Sequence, residues 1–286
     1  MNTLYPFTPK TLAIDGHRLS YLDEGQGPAL LLLHGNPTWS FYYRNLVLAL
    51  RTEFRVIVPD HLGCGLSDKP ANYPYTLANH INNLDQLITH LGVADLGLMV
   101  HDWGGAIGLG LAGRQPKRIR SLVITNTAAF PSSRCPWRIR LCRLPWLGAL
   151  LVRGLNGFAR PALSMAVTRR LAPEVARGYL KPYDSWANRV AVHAFVRDIP
   201  LTPSHPSWPT LLEVEQHLPL LQDKPMLILW GGKDFCFNDQ FYREWLRRFP
   251  EARRHYFPEA GHYLLEDAGP EVASRTRDFF RETASP

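Results

Sequence analysis

Short runs of branched apolar residues alternate along the chain with longer helical patterns. Eight such runs can be followed: TLAIDG, HRLSYLDEG, ALLLLHG, RVIVPDH, LGLMVHD, SLVITNTA, PMLILWGG and RRHYFPEAGH. Continuous apolar runs of about five residues are typical of strands that are buried on both faces. Segments between them, such as LANHINNLDQLITHLGV and AIGLGLAGRQP, have a helical pattern. The alternation predicts an α/β fold with a mostly parallel eight-stranded sheet flanked by helices, and with the first two strands forming a hairpin at the edge.

The alternation of strand and helix patterns stops after NTAAF and resumes at PMLILWGG. The stretch from Pro131 to His217 has no convincing strand pattern, and prolines divide it into short helical segments at positions 136, 145, 161, 173, 182, 200, 203, 206 and 209. A helical insertion between two core strands is best interpreted as a lid. We therefore predict an α/β core of residues 1–130 and 218–286, with a helical cap, residues 131–217, inserted after the sixth strand.

Basic residues are concentrated in the predicted cap. The chain carries a net charge of +7, yet residues 134–198 alone hold twelve Lys/Arg against three Asp/Glu, a net +9. An uneven distribution of charge gives information about binding partners rather than about the fold. The alternative interpretation is a basic face that is only solvated. We expect the cap to contact an anionic membrane or an acidic partner enzyme, and we expect no nucleic-acid partner.

Other global features constrain the compartment and the chemistry. No apolar run approaches the roughly 20 residues that a membrane span needs. The start, MNTLYPFTPK, lacks the pattern of a signal peptide, so we expect a cytoplasmic protein. The four cysteines, at positions 64, 135, 142 and 236, show neither metal-ligand nor redox spacing. The sequence predicts no metal site and no cofactor.

The motif LMVHDWGGAIG places an aspartate between a predicted strand and a predicted helix. A strand ending at His101 and a helix beginning near Gly104 leave Asp102 at the tip of a tight turn. This is typical of a nucleophile elbow, usually G-x-S-x-G, with Asp102 in the place of the serine. The alternative is an Asp that only caps the helix. A carboxylate suits displacement at a saturated carbon, because the ester that it forms can itself be released.

Three other strand ends carry polar residues. In elbow enzymes the loop after the third strand and the residue after the nucleophile supply backbone N–H groups to an anion, here Asn36 of HGNPTW and Trp103. A simple turn is the alternative for HGNP. Asp234 of WGGKD and His262 of AGHYLLED follow the last two runs. Since the carboxyl ends of parallel strands share one edge, we predict a triad in which Asp234 orients His262 beside Asp102; a surface histidine is the alternative.

The motifs HGNPTW, PDHLGCGLSDKP, VHDWGG, WGGKD and AGHYLLED together resemble the haloalkane dehalogenase family. The resemblance implies that the side chains of Asn36 and Trp103 hold the leaving anion. It places the catalytic acid after one of two strands; Asn126, after the first, is an amide, which leaves Asp234. HGNPTWSFYYRNL, NTAAF and PYDSWANRVAVHAFVRDIPL are most similar to one branch, the β-lactone decarboxylases of bacterial long-chain olefin biosynthesis.

The closer resemblance implies that the chain converts a long-chain cis-β-lactone to a cis-alkene and CO₂, with other olefin-pathway enzymes as expected partners. Haloalkane dehalogenase activity is the first alternative. Epoxide hydrolase is the second; it would use two cap tyrosines, and Tyr179 and Tyr183 are available, but Asn36 stands where an aromatic residue is wanted. A non-catalytic binding protein is the third, and the intact triad argues against it.

The cap sequence suits an apolar small-molecule substrate. LPWLGALLVRGLNGF is amphipathic and rich in large side chains. The aromatic residues predicted to line the substrate pocket are Phe130, Trp137, Trp146, Phe158, Phe195 and Trp208. The alternative for each of them is that it only packs the cap against the core.

Overall fold

A single sheet forms the centre of the molecule, for which a computed structural model describes residues 3–284. Its strands are β1 (Lys10–Ile14), β2 (His17–Glu24), β3 (Ala29–Leu33), β4 (Arg55–Pro59), β5 (Leu96–Asp102), β6 (Ile119–Thr127), β7 (Met226–Gly231) and β8 (Arg253–Phe257). The spatial order is β1-β2-β4-β3-β5-β6-β7-β8. β2 is antiparallel to β1 and to β4, and the remaining neighbours are parallel. The predicted α/β sheet and its hairpin at the edge are confirmed.

The continuous apolar runs are strands buried on both faces, as predicted. In β3, Leu31 and Leu33 belong to one hydrophobic cluster, whereas Leu30 and Leu32 belong to the cluster on the opposite face. This follows from the two-residue period of a strand, which sends neighbouring side chains to opposite sides. The sheet therefore separates two hydrophobic cores.

Helices cover both faces of the sheet. Those outside the cap are α1 (Arg44–Leu50), α2 (Leu77–His90), α3 (Trp103–Arg114), α10 (Asp239–Arg248), α11 (Leu264–Asp267) and α12 (Gly269–Ala284). Apolar side chains of α2, α3 and α10 belong to the cluster of Leu31, and those of α1 and α12 to the cluster of Leu30. The start of α2 is capped by Thr76, whose Oγ1 accepts a hydrogen bond from the Asn79 N–H.

Six α-helices lie between β6 and β7. They are α4 (Trp137–Cys142), α5 (Pro145–Ala149), α6 (Ala159–Met165), α7 (Pro173–Leu180), α8 (Val190–Arg197) and α9 (Trp208–His217), and a π-helical turn, Leu150–Gly154, extends α5. Within the described residues no strand interrupts them. Leu211 and Val214 of α9 belong to the same cluster as α3, so this last helix packs on the core. The cap boundary at residue 217 stays a prediction.

No helix in the described part of the chain combines the length and apolar character that crossing a bilayer requires.

Candidate active site

Asp102 lies at the tip of a sharp turn between β5 and α3. Its φ of 52° and ψ of −126° are unusual for a residue with a side chain, and such backbone strain costs about 1–3 kcal/mol. The turn needs small neighbours: a Cβ on Gly104 would overlap the backbone of Leu33, and one on Gly35 would overlap the Asp102 carboxylate. The Asp102 side chain makes no hydrogen bond that caps α3. The geometry is that of a nucleophile elbow.

The structure brings the three predicted triad residues together. Nδ1 of His262 lies 2.7 Å from Oδ2 of Asp234, and Nε2 of the same ring lies 3.6 Å from Oδ2 of Asp102. The side chains of Asp234 and His262 are almost fully buried. The imidazole therefore lies between two carboxylates, with one ring nitrogen directed towards each.

Backbone hydrogen bonds fix the orientation of this group. Oδ1 of Asp234 accepts hydrogen bonds from the N–H groups of Cys236, at 2.6 Å, and Phe237, at 3.0 Å. The Phe237 ring stacks on the His262 imidazole, with centroids 5.8 Å apart. On the other side, Nε2 of His101 hydrogen bonds with the His262 carbonyl oxygen at 2.8 Å. The position of the imidazole is thus set by side chains and backbone from three strand ends.

Burial and charge act in opposite directions on the two central groups. Burial raises the pKa of Asp102, against the opposing effects of His262 and of the backbone N–H groups of Asn36 and Trp103. Burial alone would lower the pKa of His262, but the carboxylates of Asp234 and Asp102 together raise it above its usual range. The two carboxylates therefore stabilise the charged form of His262, and burial opposes them.

Asn36 and Trp103 line the same cavity as Asp102 and His262. The Asn36 N–H donates to Oδ1 of Asp102 at 2.7 Å. The side-chain Nδ2 of Asn36 donates to the Val192 carbonyl in α8 at 3.1 Å, and its Oδ1 has no hydrogen-bond partner among residues 3–284. An Asn amide carries two N–H donors, so the bond to the cap fixes the amide and leaves one N–H for an anion.

Asn126, at the alternative position for the acid, has a structural role. Its Nδ2 donates to the Gly231 carbonyl at 3.0 Å and its Oδ1 accepts from the Gly231 N–H at 2.8 Å. This pair of hydrogen bonds joins the end of β6 to the end of β7. The side chain therefore holds the two strands together.

A cavity of about 500 Å³ lies between the sheet edge and the cap, with Asp102 in its wall. Its size falls within the usual range for small-molecule sites. Apolar side chains dominate the wall, including three of the six predicted aromatic residues: Phe130, Trp137 and Phe158. A carboxylate facing such a wall suits an apolar substrate with one reactive polar group.

The pocket prediction is wrong for the other three aromatic residues, which do not line the cavity among the described residues. Trp146, on α5, is 91% exposed. Phe195, on α8, is fully buried behind the wall, where its ring stacks on His80 and meets the edge of Trp103. Trp208 is half-buried at the start of α9, the helix that packs on the core. Aromatic character alone did not reveal which face of a short cap helix each residue occupies.

Tyr179 and Tyr183, the tyrosines considered for epoxide activation, are directed elsewhere. Tyr179 donates its hydroxyl hydrogen bond to Glu266, and Tyr183 donates to the Thr38 carbonyl at 3.3 Å. Neither is among the described residues that line the cavity. The geometry therefore does not support epoxide hydrolysis.

Two supporting residues were missed in the sequence. His101 holds the loop of His262 through a backbone carbonyl, and Thr127 donates its hydroxyl to the carbonyl of Asp102 at the strained elbow. Both lie within the motifs VHDWGG and SLVITNTA, at the carboxyl ends of β5 and β6. Since each acts through the backbone of another residue, residue type and spacing gave no signal for these contacts.

Known proteins resemble this chain in sequence and in fold. The sequence profile of the family described as alpha/beta hydrolase fold matches residues 28–269. A cis-3-alkyl-4-alkyloxetan-2-one decarboxylase from Shewanella oneidensis is 44% identical over 99% of this chain and 91% of that protein. Haloalkane dehalogenase 2 from Mycobacterium tuberculosis is 32% identical over 95% of this chain and 94% of that protein. The crystal structure of a haloalkane dehalogenase from Bradyrhizobium elkani superposes with a TM-score of 0.88 at 24% identity, covering 97% of this chain and 98% of that one.

Proposed function

The chain belongs to the alpha/beta hydrolase fold family, and from that premise we propose that it is a β-lactone decarboxylase, which converts a cis-3,4-dialkyl-oxetan-2-one to a cis-alkene and CO₂. An oxetan-2-one is a β-lactone, so the decarboxylase relative carries the name of this reaction. The dehalogenase relative is more distant in sequence. The observation that carries the proposal is the Asp102 carboxylate, presented at the elbow to an apolar cavity beside Asn36 and Trp103.

The reaction begins with Asp102 as the nucleophile. Its carboxylate attacks the saturated ring carbon that is bonded to the ring oxygen, and the configuration of that carbon is inverted. The bond from that carbon to the ring oxygen breaks, and its electron pair remains on the released substrate carboxylate. The free amide N–H of Asn36 and the indole N–H of Trp103 stabilise this anion as its charge develops; removing such a donor typically costs about 10²–10³ in rate.

Decarboxylation then completes the cycle. The bond between the substrate carboxylate and the neighbouring carbon breaks, and its electron pair forms the alkene. The ester bond to Asp102 breaks at the same time, which returns the electron pair to the Asp102 carboxylate and releases CO₂. Inversion followed by anti elimination turns a cis-lactone into a cis-alkene. No water is consumed.

His262 has a different task in this cycle from the one it has in a hydrolase. A hydrolytic cycle needs a neutral imidazole that takes a proton from water. In the free enzyme the carboxylates of Asp234 and Asp102 raise the pKa of His262 despite burial. In the ester intermediate Asp102 carries no charge, and Asp234, 2.7 Å from Nδ1, is the remaining anionic partner of the ring. We propose that His262 keeps its Nε2 proton through the cycle and takes none from water. Its Nε2–H instead faces Asp102 and stabilises that carboxylate when it is expelled. We propose that a protonated Nε2 does not activate water for hydrolysis of the alkyl ester, so the intermediate breaks down by elimination.

We also infer that the protein is cytoplasmic and works beside other enzymes of olefin biosynthesis. None of its four cysteines, all within the described residues, forms a disulfide, which suits a reducing compartment. Cell fractionation with a cytoplasmic marker tests the location, and recovery in a periplasmic or extracellular fraction would contradict it.

A product assay tests the proposed function. The protein is incubated with a cis-β-lactone bearing two long alkyl arms, and organic products are identified by gas chromatography. We expect cis-alkene, with Asp102→Ala inactive but folded. A β-hydroxy acid as the main product would mean that water attacks the intermediate, and an unchanged rate in Asp102→Ala would reject Asp102 as nucleophile.

Haloalkane dehalogenase activity remains a second candidate, because Asn36 and Trp103 could hold a halide in the same cavity. Release of halide from a panel of bromoalkanes measures it. We expect halide release to be far slower than alkene formation; the reverse ranking would favour the dehalogenase.

A further inference from the structure

The outer surface of the cap carries an unusual group of exposed apolar side chains. Of the ten large apolar side chains exposed among the described residues, seven lie between positions 137 and 186. Trp146 is 91% exposed and Trp137 is 66% exposed. The others are Leu144, Leu147, Leu150, Leu155 and Trp186. We refer to these seven residues as the cap surface. A well-packed monomer rarely leaves two tryptophans this open unless the surface meets something apolar.

The residues of the cap surface are close together in the chain. All but Trp186 come from one stretch, residues 137–155, which contains α4, α5 and the π-helical turn that extends α5. Trp186 joins them: a Cβ placed on Gly154 would meet the side chains of both Leu150 and Trp186. Arg153 lies over the ring of Trp186, with its guanidinium carbon 4.5 Å from the centroid.

The same stretch is basic and has no internal counter-charge. No Asp or Glu occurs between Asp102 and Glu174, whereas residues 134–170 contain eight arginines. Within residues 3–284 none of these eight forms a salt bridge, although most ion pairs of the core involve an arginine. Arg138 packs over the ring of Trp137, at 5.2 Å from the centroid. Unneutralised guanidinium groups beside exposed indoles match a surface that is apolar inside and negatively charged at its boundary.

The cap surface meets the mouth of the active-site cavity. Trp137 belongs to the cap surface and also lines the cavity, and Arg134 and Arg138 line the cavity beside it. Leu151, next to the exposed Leu150, lines the cavity as well. A molecule held against the cap surface would therefore reach Asp102 along an apolar path.

We propose that the cap surface docks on an anionic lipid bilayer, with Trp146 and its leucine neighbours in the headgroup region and the arginines on lipid phosphates. Indole and guanidinium side chains suit this boundary, because each combines an apolar body with a polar end. Docking places the cavity mouth against the layer in which long-chain apolar molecules partition. Delivery of substrate by this path rests on the proposed function, whereas docking itself does not.

Vesicle flotation of the full chain tests the docking. Vesicles of phosphatidylcholine alone are compared with equal parts of phosphatidylcholine and phosphatidylglycerol. We expect binding to the anionic vesicles only, and we expect it to be lost at about 1 M salt, where the screening length falls to about 3 Å. Absence of binding to anionic vesicles would overturn the proposal and leave an acidic protein as the partner of this surface. Equal binding to both kinds of vesicle would also overturn it, because the arginines would then have no part in the contact.

Two variants and two matched controls locate the contact. Arg138→Gln is expected to weaken anionic binding about fivefold, since each basic residue near such a surface contributes about that factor. Trp146→Ala is expected to weaken it about tenfold, from the loss of one large apolar side chain. Arg254→Gln and Leu220→Ala change an exposed arginine and an exposed leucine of the core, and should leave binding unchanged. Equal effects in variants and controls would overturn the proposal.

Turnover separates this proposal from the proposed function. Trp146 does not line the cavity, so Trp146→Ala should convert detergent-dispersed lactone at the wild-type rate while it loses activity on lactone carried in anionic vesicles. Vesicle binding without any alkene formation would reject the proposed function and keep the docking. Alkene formation without vesicle binding would keep the proposed function and reject the docking.

Discussion

Replacement of Asp234 by Asn separates the two tasks that His262 could have. Oδ1 of Asp234 accepts two backbone hydrogen bonds and Oδ2 lies 2.7 Å from His262 Nδ1. An Asn oxygen can keep both backbone bonds, so its NH₂ must face Nδ1 and donate to it. The imidazole is then neutral and carries its proton on Nε2, directed at Asp102. It can still donate a hydrogen bond, but it can no longer take a proton from water.

The size of the expected effect follows from the hydrogen bond that Nε2 would donate to the expelled Asp102 carboxylate, which lies 3.6 Å away in the free enzyme. A hydrogen bond to a charged group contributes about 1.5–3 kcal/mol and a neutral one about 0.5–1.5 kcal/mol. Losing the difference, about 1.4 kcal/mol, slows alkene formation about tenfold. A cycle that needs His262 as a general base would instead lose about 10⁴, as occurs when a triad imidazole is held in the wrong tautomer.

The assay is alkene release from a cis-β-lactone, measured under saturating substrate by gas chromatography. Asp239→Asn is the matched control, because Asp239 accepts a hydrogen bond from Tyr256 and does not line the cavity. We expect the control to keep the wild-type rate. A loss of 10³ or more in Asp234→Asn, with a normal circular dichroism spectrum, would refute the conclusion that no proton is taken from water.

Three further outcomes are expected. Asn36→Ala removes a donor to the released carboxylate and should slow alkene formation about 10²–10³-fold; less than a tenfold loss in steady-state assays would exclude that role. Burial raises the pKa of Asp102, and only its charged form attacks, so a pH–rate profile should fall as the pH drops through that raised value; a flat profile down to about pH 4 would contradict this. Glu266→Gln leaves the buried Arg44, 2.6 Å away, without its counter-charge, and urea titration should show a loss of about 3 kcal/mol in unfolding free energy; an unchanged midpoint would argue against it.

The sheet and the triad were predictable because both depend on simple rules of chain geometry. Buried parallel strands need continuous apolar runs, and ALLLLHG and LGLMVHD could be recognised without any knowledge of their partners. The carboxyl ends of such strands meet at one edge, so polar residues that follow them, such as Asp102 and Asp234, come together although they are far apart in sequence.

The cap residues that line the cavity were less predictable, because short helices lack the length to establish a periodic pattern. α5 has five residues and α4 has six, so a difference of half a turn, about two residues, decides whether an aromatic residue faces the cavity or solvent. Trp137 and Trp146 have the same chemistry and lie nine positions apart, yet only Trp137 lines the cavity. Phe195 is separated from the cavity by Trp103, a contact between elements that no local pattern encodes.

The attachment point of the covalent intermediate tests the central claim most directly. The protein is mixed with a cis-β-lactone, quenched in acid within one turnover and digested, and the peptide that contains Asp102 is fragmented by tandem mass spectrometry. We predict an adduct on Asp102 that is joined through the saturated carbon formerly bonded to the ring oxygen. This adduct has a free substrate carboxyl group, which is lost as CO₂ on fragmentation. An adduct joined through the acyl carbon, or carried by any other residue, would contradict the account.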